Sequence, residues 1–106
     1  MAKVEKSKIT ADDIKYGDRR DTKTCPVARG LCRRYADVEV ANEQIGLRRK
    51  KENRDEWIEF ENSWALHKWI QEHDAMEKVE PIEVGLDFDD GVAFIVEEHL
   101  DNGPKL

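Results

Sequence analysis

The chain has 106 residues, 39% of them hydrophobic and 40% charged, with a formal net charge of −6. That length suits one domain with a modest core, and three Trp, three Phe and two Tyr exclude the composition of a disordered protein. The opening MAKVEKSKIT holds no apolar run and no stretch is long enough to span a membrane, so the expectation is a cytoplasmic protein with no membrane partner.

Taken in chain order, residues 1–8 read as a frayed basic leader. Thr10 is a good N-cap, with Asp12 and Asp13 in the turn that follows and Gly17 to stop it. This predicts a short helical turn with Ile14 and Tyr16 pointing inward. Thr24 is a second N-cap, with Pro26 in the first turn where its missing N–H costs nothing. Cys25, Ala28, Leu31, Cys32 and Tyr35 then recur at helical spacing, while Arg29, Arg33 and Arg34 fall on the other side. Gly30 inside this pattern costs roughly 1 kcal/mol against alanine, so the helix must lean on tertiary packing.

Beyond Tyr35 the period changes to two. Val38 with Val40, and Ile45 with Leu47, describe a hairpin, and Ile58 with Phe60 describe a third strand with Trp57 on its other face. Asn62 or Ser63 caps the strongest helix, on which Leu66, Trp69, Ile70 and His73 share one side. Ile82, Val84, Leu86 and Phe88 alternate strictly with polar residues, Asp89, Asp90 and Gly91 make a turn, and VAFIVEE closes as a strand. That strand either completes the core or pairs with a second copy in a homodimer. Residues 101–106 read as a frayed tail. The expected fold is α+β: residues 1–106 as a single domain, with a mainly antiparallel sheet of four to five strands and two helices packed on one face. The sheet's other face is then wet or meets a partner.

Charge is divided along the chain. Residues 1–54 carry 15 Lys and Arg against 9 Asp and Glu, whereas residues 55–106 carry 3 against 15. The two halves either neutralise one another by packing or serve electrostatic partners.

Chemical motifs are scarce. Seven residues of helix rise about 10.5 Å, too far for Cys25 and Cys32 to bridge. No CxxC half-site is present, and His67 and His73 lie on different helical faces, so no metal site and no cofactor is expected. Cys25 near Arg19 and Arg20 has some features of an activated thiol, but no positioned base accompanies it. Both cysteines are better read as buried apolar residues. Asp87, Asp89, Asp90 and Glu98 imitate a calcium loop whose glycine, Gly91, falls one position early. No nucleophile elbow, phosphate loop or zinc-protease motif occurs, and the chain is read as a non-enzyme. Two charged surfaces remain. One is acidic, comprising Glu56, Glu59, Glu61, Glu72, Asp74, Glu77, Glu80, Glu83, Asp87, Asp89 and Asp90, and would face a basic partner. The other is basic, comprising Arg29, Arg33, Arg48, Arg49, Lys50 and Lys51, and would face nucleic acid.

Ile9, Asp13, Ile14 and Gly17, then Cys25-Pro26-Val27-Ala28, and finally Trp69, Ile70, Asp74, Val79, Pro81 and Val84 form a recognisable series. In this the chain resembles a group of small uncharacterised phage and prophage proteins with a Cys-Pro-Val/Ile-Ala helix start and a C-terminal V-x-P-F-x-F-like strand. Departures are His73 in place of an aromatic, Met76 or Glu77 where a glycine is expected, and Ile82 in place of phenylalanine. The resemblance spans roughly residues 9–88 and implies a phage-type origin in a bacterial host's cytoplasm, with no catalytic residues to carry over. The expected function is a small non-enzymatic interaction protein that binds and modulates a host protein or nucleoprotein complex. Its sharpest form is an anti-defence inhibitor (anti-CRISPR or anti-restriction) with an acidic surface; the alternative is a nucleic-acid-binding accessory protein.

Overall fold

The computed structural model describes residues 4–19, 21–49 and 56–96. They form β1 (Val4–Ile9), α1 (Ala11–Tyr16), α2 (Pro26–Leu31), β2 (Asp37–Val40), β3 (Gln44–Arg48), β4 (Trp57–Asn62), α3 (Trp64–Asp74), β5 (Ile82–Asp87) and β6 (Val92–Ile95). The six strands make one mixed sheet in the order β1-β5-β6-β4-β3-β2, in which β4 and β6 run parallel and every other pair is antiparallel. The fold is therefore α+β as expected, with six strands in place of four or five, three helices in place of two, and one parallel pair.

The extra strand is β1, formed by residues expected to be a frayed leader. Its inward positions are Glu5, Ser7 and Ile9, so two of the three are polar and the usual alternation is hidden. The parallel pair follows from the route of the chain. After β4, α3 carries the chain over the sheet to β5, and the β5–β6 hairpin then folds back into the gap beside β4. Strand β6 lies between two neighbours and closes the core instead of offering an edge.

One sheet face meets α2 and α3. Ile9, Val38, Val40, Ile45, Leu47, Phe60, Val84, Leu86, Ala93 and Ile95 from the strands join Val27, Ala28 and Leu31 of α2 and Leu66, Trp69 and Ile70 of α3 in one buried cluster. Ser63 caps α3, its hydroxyl accepting the Leu66 N–H at 3.2 Å. Phe88 adds an edge-on ring to Phe60 with centroids 5.0 Å apart.

The sheet curls. Strands β1 and β3 stand four places apart in the order, roughly 19 Å in a flat sheet, yet Arg49 just beyond β3 reaches Glu5 of β1 at 3.4 Å. Tyr35, after α2, also donates its hydroxyl to Glu5. Helix α2 packs against both edge strands, β1 and β2, and fills the opening between them. Gly30 permits this, because a β-carbon there would overlap Ile9 Cδ1. Among the described residues no helix is long and apolar enough to cross a membrane.

Candidate interaction surface

Strand alternation decides which side chains face away from the helices. With Phe60, Val84, Leu86, Ala93 and Ile95 turned into the core, Glu59 and Glu61 of β4, Glu83 and Asp87 of β5, and Val92 and Phe94 of β6 face outward. The register places Asp87, Val92 and Glu61 in one row across β5, β6 and β4. A carboxylate thus flanks an apolar side chain on each side.

Two aromatic rings lie on the same outer surface, each over a strand glycine. Phe94 sits opposite Gly85 and fills the space a β-carbon would need, and Trp57 covers Gly46 in the same way. Trp57 is 37% exposed and its Nε1 donates to Glu59 at 3.2 Å. The Arg48 guanidinium lies 5.6 Å from the Trp57 ring and its Nε bonds Asp37 at 3.1 Å. The alternation of β4 places Trp57 on this face from sequence, but neither Trp57 nor Phe94 is among the surface residues expected from sequence. The two glycines inside otherwise regular strands were the signal that could have found them.

The remaining acidic residues divide. Asp89 and Asp90 are exposed in the β5–β6 turn at the end of the same surface. Asp87 builds this turn: its Oδ1 accepts the N–H groups of Asp89 at 2.9 Å and Asp90 at 3.0 Å, and Gly91 adopts φ 69°. The calcium-like spacing is thus occupied by a hairpin turn, and Glu98 lies outside the described residues. Glu56 is exposed just ahead of β4. Glu72 and Asp74 are half-buried on α3, and Glu77 and Glu80 follow that helix, so none of the four belongs to the strands that form the outer face. The Glu80 carbonyl accepts Trp69 Nε1 at 3.0 Å, which pins this segment to the core.

Of the basic surface expected from sequence, Arg33 and Arg49 bond within the fold and Arg29 does so through one edge of its guanidinium. Asp13, 1% exposed, takes two hydrogen bonds from Arg33 and faces Arg29 Nε at 3.4 Å. Burial pushes the Asp13 carboxyl upward, but Arg33 and the Thr10 N–H outweigh it and hold it at about 2. Arg33 also donates to the Lys8 carbonyl at 2.8 Å, and Arg34 to that of Lys6 at 2.6 Å, so two β1 carbonyls are covered. Arg49 joins Glu5 and lies 4.4 Å from the Phe88 ring. Lys50 and Lys51 lie outside the described residues.

The two cysteines have different surroundings. Cys25, not Thr24, is the N-cap of α2; it is 6% exposed, and burial pushes its thiol up, which disfavours the nucleophilic thiolate. It adjoins a cleft of about 480 Å³ that also touches Asp21, Val40, Ile70 and Asp74. Cys32 was expected to be buried, but α2 ends at Leu31 and Cys32 is its exposed C-cap. Tyr16, expected to point inward, is 59% exposed because the six residues of α1 bury only Asp13 and part of Ile14.

No family model matches the chain, and no curated protein or solved structure proves similar to it.

Proposed function

We propose that the protein is a non-enzymatic interaction protein of phage type. Its outer sheet face binds a basic surface on a host protein or nucleoprotein complex and modulates or inhibits that complex. An anti-defence inhibitor (anti-CRISPR or anti-restriction) is the sharpest form of this reading. The supporting observation is the Asp87–Val92–Glu61 row, next to Phe94, on the sheet face that the helices do not cover. Such a patch pairs apolar and aromatic contact area with carboxylates at its margin, the usual anatomy of a protein interface. The carboxylates would also steer a basic partner during encounter.

The test is affinity capture from bacterial host lysate with and without nuclease treatment, comparing the native chain with a Glu59→Lys, Glu61→Lys, Glu83→Lys variant. A host protein retained by the native chain and lost by the variant supports the reading. Retention that survives charge reversal, or that vanishes with nuclease treatment, defeats it.

A further inference from the structure

A second surface, beside α1 and α2, has the opposite chemistry. Here Tyr16, Asp18, Lys23, Arg29, Cys32 and Arg33 line a depression of about 500 Å³. The Tyr16 ring, 59% exposed, has Lys15 Nζ 5.3 Å and the Arg29 guanidinium 5.9 Å from its centroid. Both cations lie over the ring, so a base stacking on Tyr16 would take the place of one of these exposed side chains. Its charge would then meet the neighbouring phosphate, the combination of aromatic and cation that holds single strands without reading sequence.

The bonding of each cation decides what it can still offer. Arg33 is fully engaged by Asp13 and the Lys8 carbonyl, so it shapes the wall. Arg29 faces Asp13 through Nε, so its contact with that carboxylate involves only one edge of the guanidinium. Lys23 meets Glu39 only at 3.7 Å with both side chains at least half exposed, a pairing worth little in water. Asp18 accepts the Thr24 hydroxyl at 2.9 Å. Lys15, Lys23, Arg29 and Arg33 are offset by Asp13, Asp18, Asp21 and Glu39, so a phosphodiester would be met by the local donors of Lys23 and Arg29 and not by a surplus of charge.

We infer that this depression is a subsite for one nucleotide of a single-stranded nucleic acid, with the base on Tyr16 and the phosphodiester between Lys23 and Arg29. This site is independent of the acidic outer face and lies on different elements. The net charge of −6 opposes a polyanion at long range, so binding is short-ranged and modest, with a salt slope near that of one phosphate, about 0.7.

The experiment is fluorescence anisotropy of a labelled oligothymidylate titrated with the full chain at low and moderate salt. It is repeated with Tyr16→Ala, Lys23→Ala and the outer-face triple reversal, each checked for native circular dichroism. Both exposed-site variants are expected to weaken binding by about fivefold or more, the low end for loss of a base–aromatic stack. The outer-face variant should bind at least as well as the native chain. Absence of binding by the native chain, or a loss below about fivefold in either site variant, overturns the inference. Neither result bears on the capture experiment above, which scores the protein retained after nuclease treatment and varies the other face.

Discussion

Asp13 and Arg33 form a two-bonded ion pair, Nη1 to Oδ1 at 3.0 Å and Nη2 to Oδ2 at 2.8 Å, with the carboxylate buried beneath the guanidinium. The same carboxylate closes a capping box on α1 by accepting the Thr10 N–H at 2.9 Å. One side chain therefore ties α1 to α2, and through Arg33 to the β1 edge. Its carboxyl lies at about 2 in the fold against an ordinary value of 3.8. A depressed acid stabilises the fold above its unfolded value and loses that contribution as pH falls toward the folded one. Urea unfolding should accordingly show a loss on the order of 2 kcal/mol between about pH 4 and pH 2. Asp13→Asn should be less stable at neutral pH and lack that part of the acid limb. Parallel acid limbs in the two proteins would refute the assignment.

Tyr35 and Glu5 hold the curl closed at its other end. Burial first, and the hydrogen bond to Glu5 second, push the Tyr35 phenol well above its ordinary value of 10. A raised group gives full stabilisation below the unfolded value and loses it as pH climbs past 10. Tyr35→Phe should cost about 1.5–3 kcal/mol near neutral pH, the range for a hydrogen bond to a charged acceptor. It should also flatten the alkaline decline in thermal stability. A variant that matches the native melting temperature at neutral pH would show that the bond contributes nothing.

Met76 ends α3 with φ 68°, in the left-handed region that favours glycine. It is 72% exposed, so little packing compensates for that conformation. The sequence resemblance leads one to expect a glycine near Met76 or Glu77. Met76→Gly should stabilise by about 0.5–1 kcal/mol, because a side chain in this conformation costs on the order of 1 kcal/mol. Thermal melting should rise by a few degrees in a domain of this size. A lowered melting point would mean that the Met76 side chain stabilises more than its backbone conformation costs.

How far the sequence could be read depends on whether each cue was local. Leu66, Trp69, Ile70 and His73 are all buried on α3, as their spacing requires, and Val84 and Leu86 are buried on β5 as their alternation requires. Strand β1 was hidden because Glu5 faces inward to meet Tyr35 and Arg49, partners 30 and 44 residues away. The parallel β4–β6 pairing is equally non-local, since nothing within either strand specifies it. Of the acidic residues, composition could count them but not place them. Glu61 and Asp87 share a row only because β6 inserts between their strands, whereas Glu77 and Glu80 follow α3 elsewhere.

The cysteines give a direct check on the end of α2. A helical stripe drawn through Cys25, Leu31 and Cys32 places both thiols inside, but the helix stops one residue before Cys32 and turns that side chain to solvent. Cys25, the N-cap of α2, is 6% exposed with its thiol pushed up by burial. A thiol reagent at mildly alkaline pH should therefore modify Cys32 quickly in the native protein. Cys25 should react only as the protein opens, at a rate that rises with denaturant, because both accessibility and thiolate fraction limit it. Mass spectrometry of the singly labelled protein should locate the label on Cys32, and Cys32→Ser should abolish the fast phase. A fast phase that persists in Cys32→Ser would make Cys25 the reactive residue and reopen the case for thiol chemistry at the cleft beside Asp21 and Asp74.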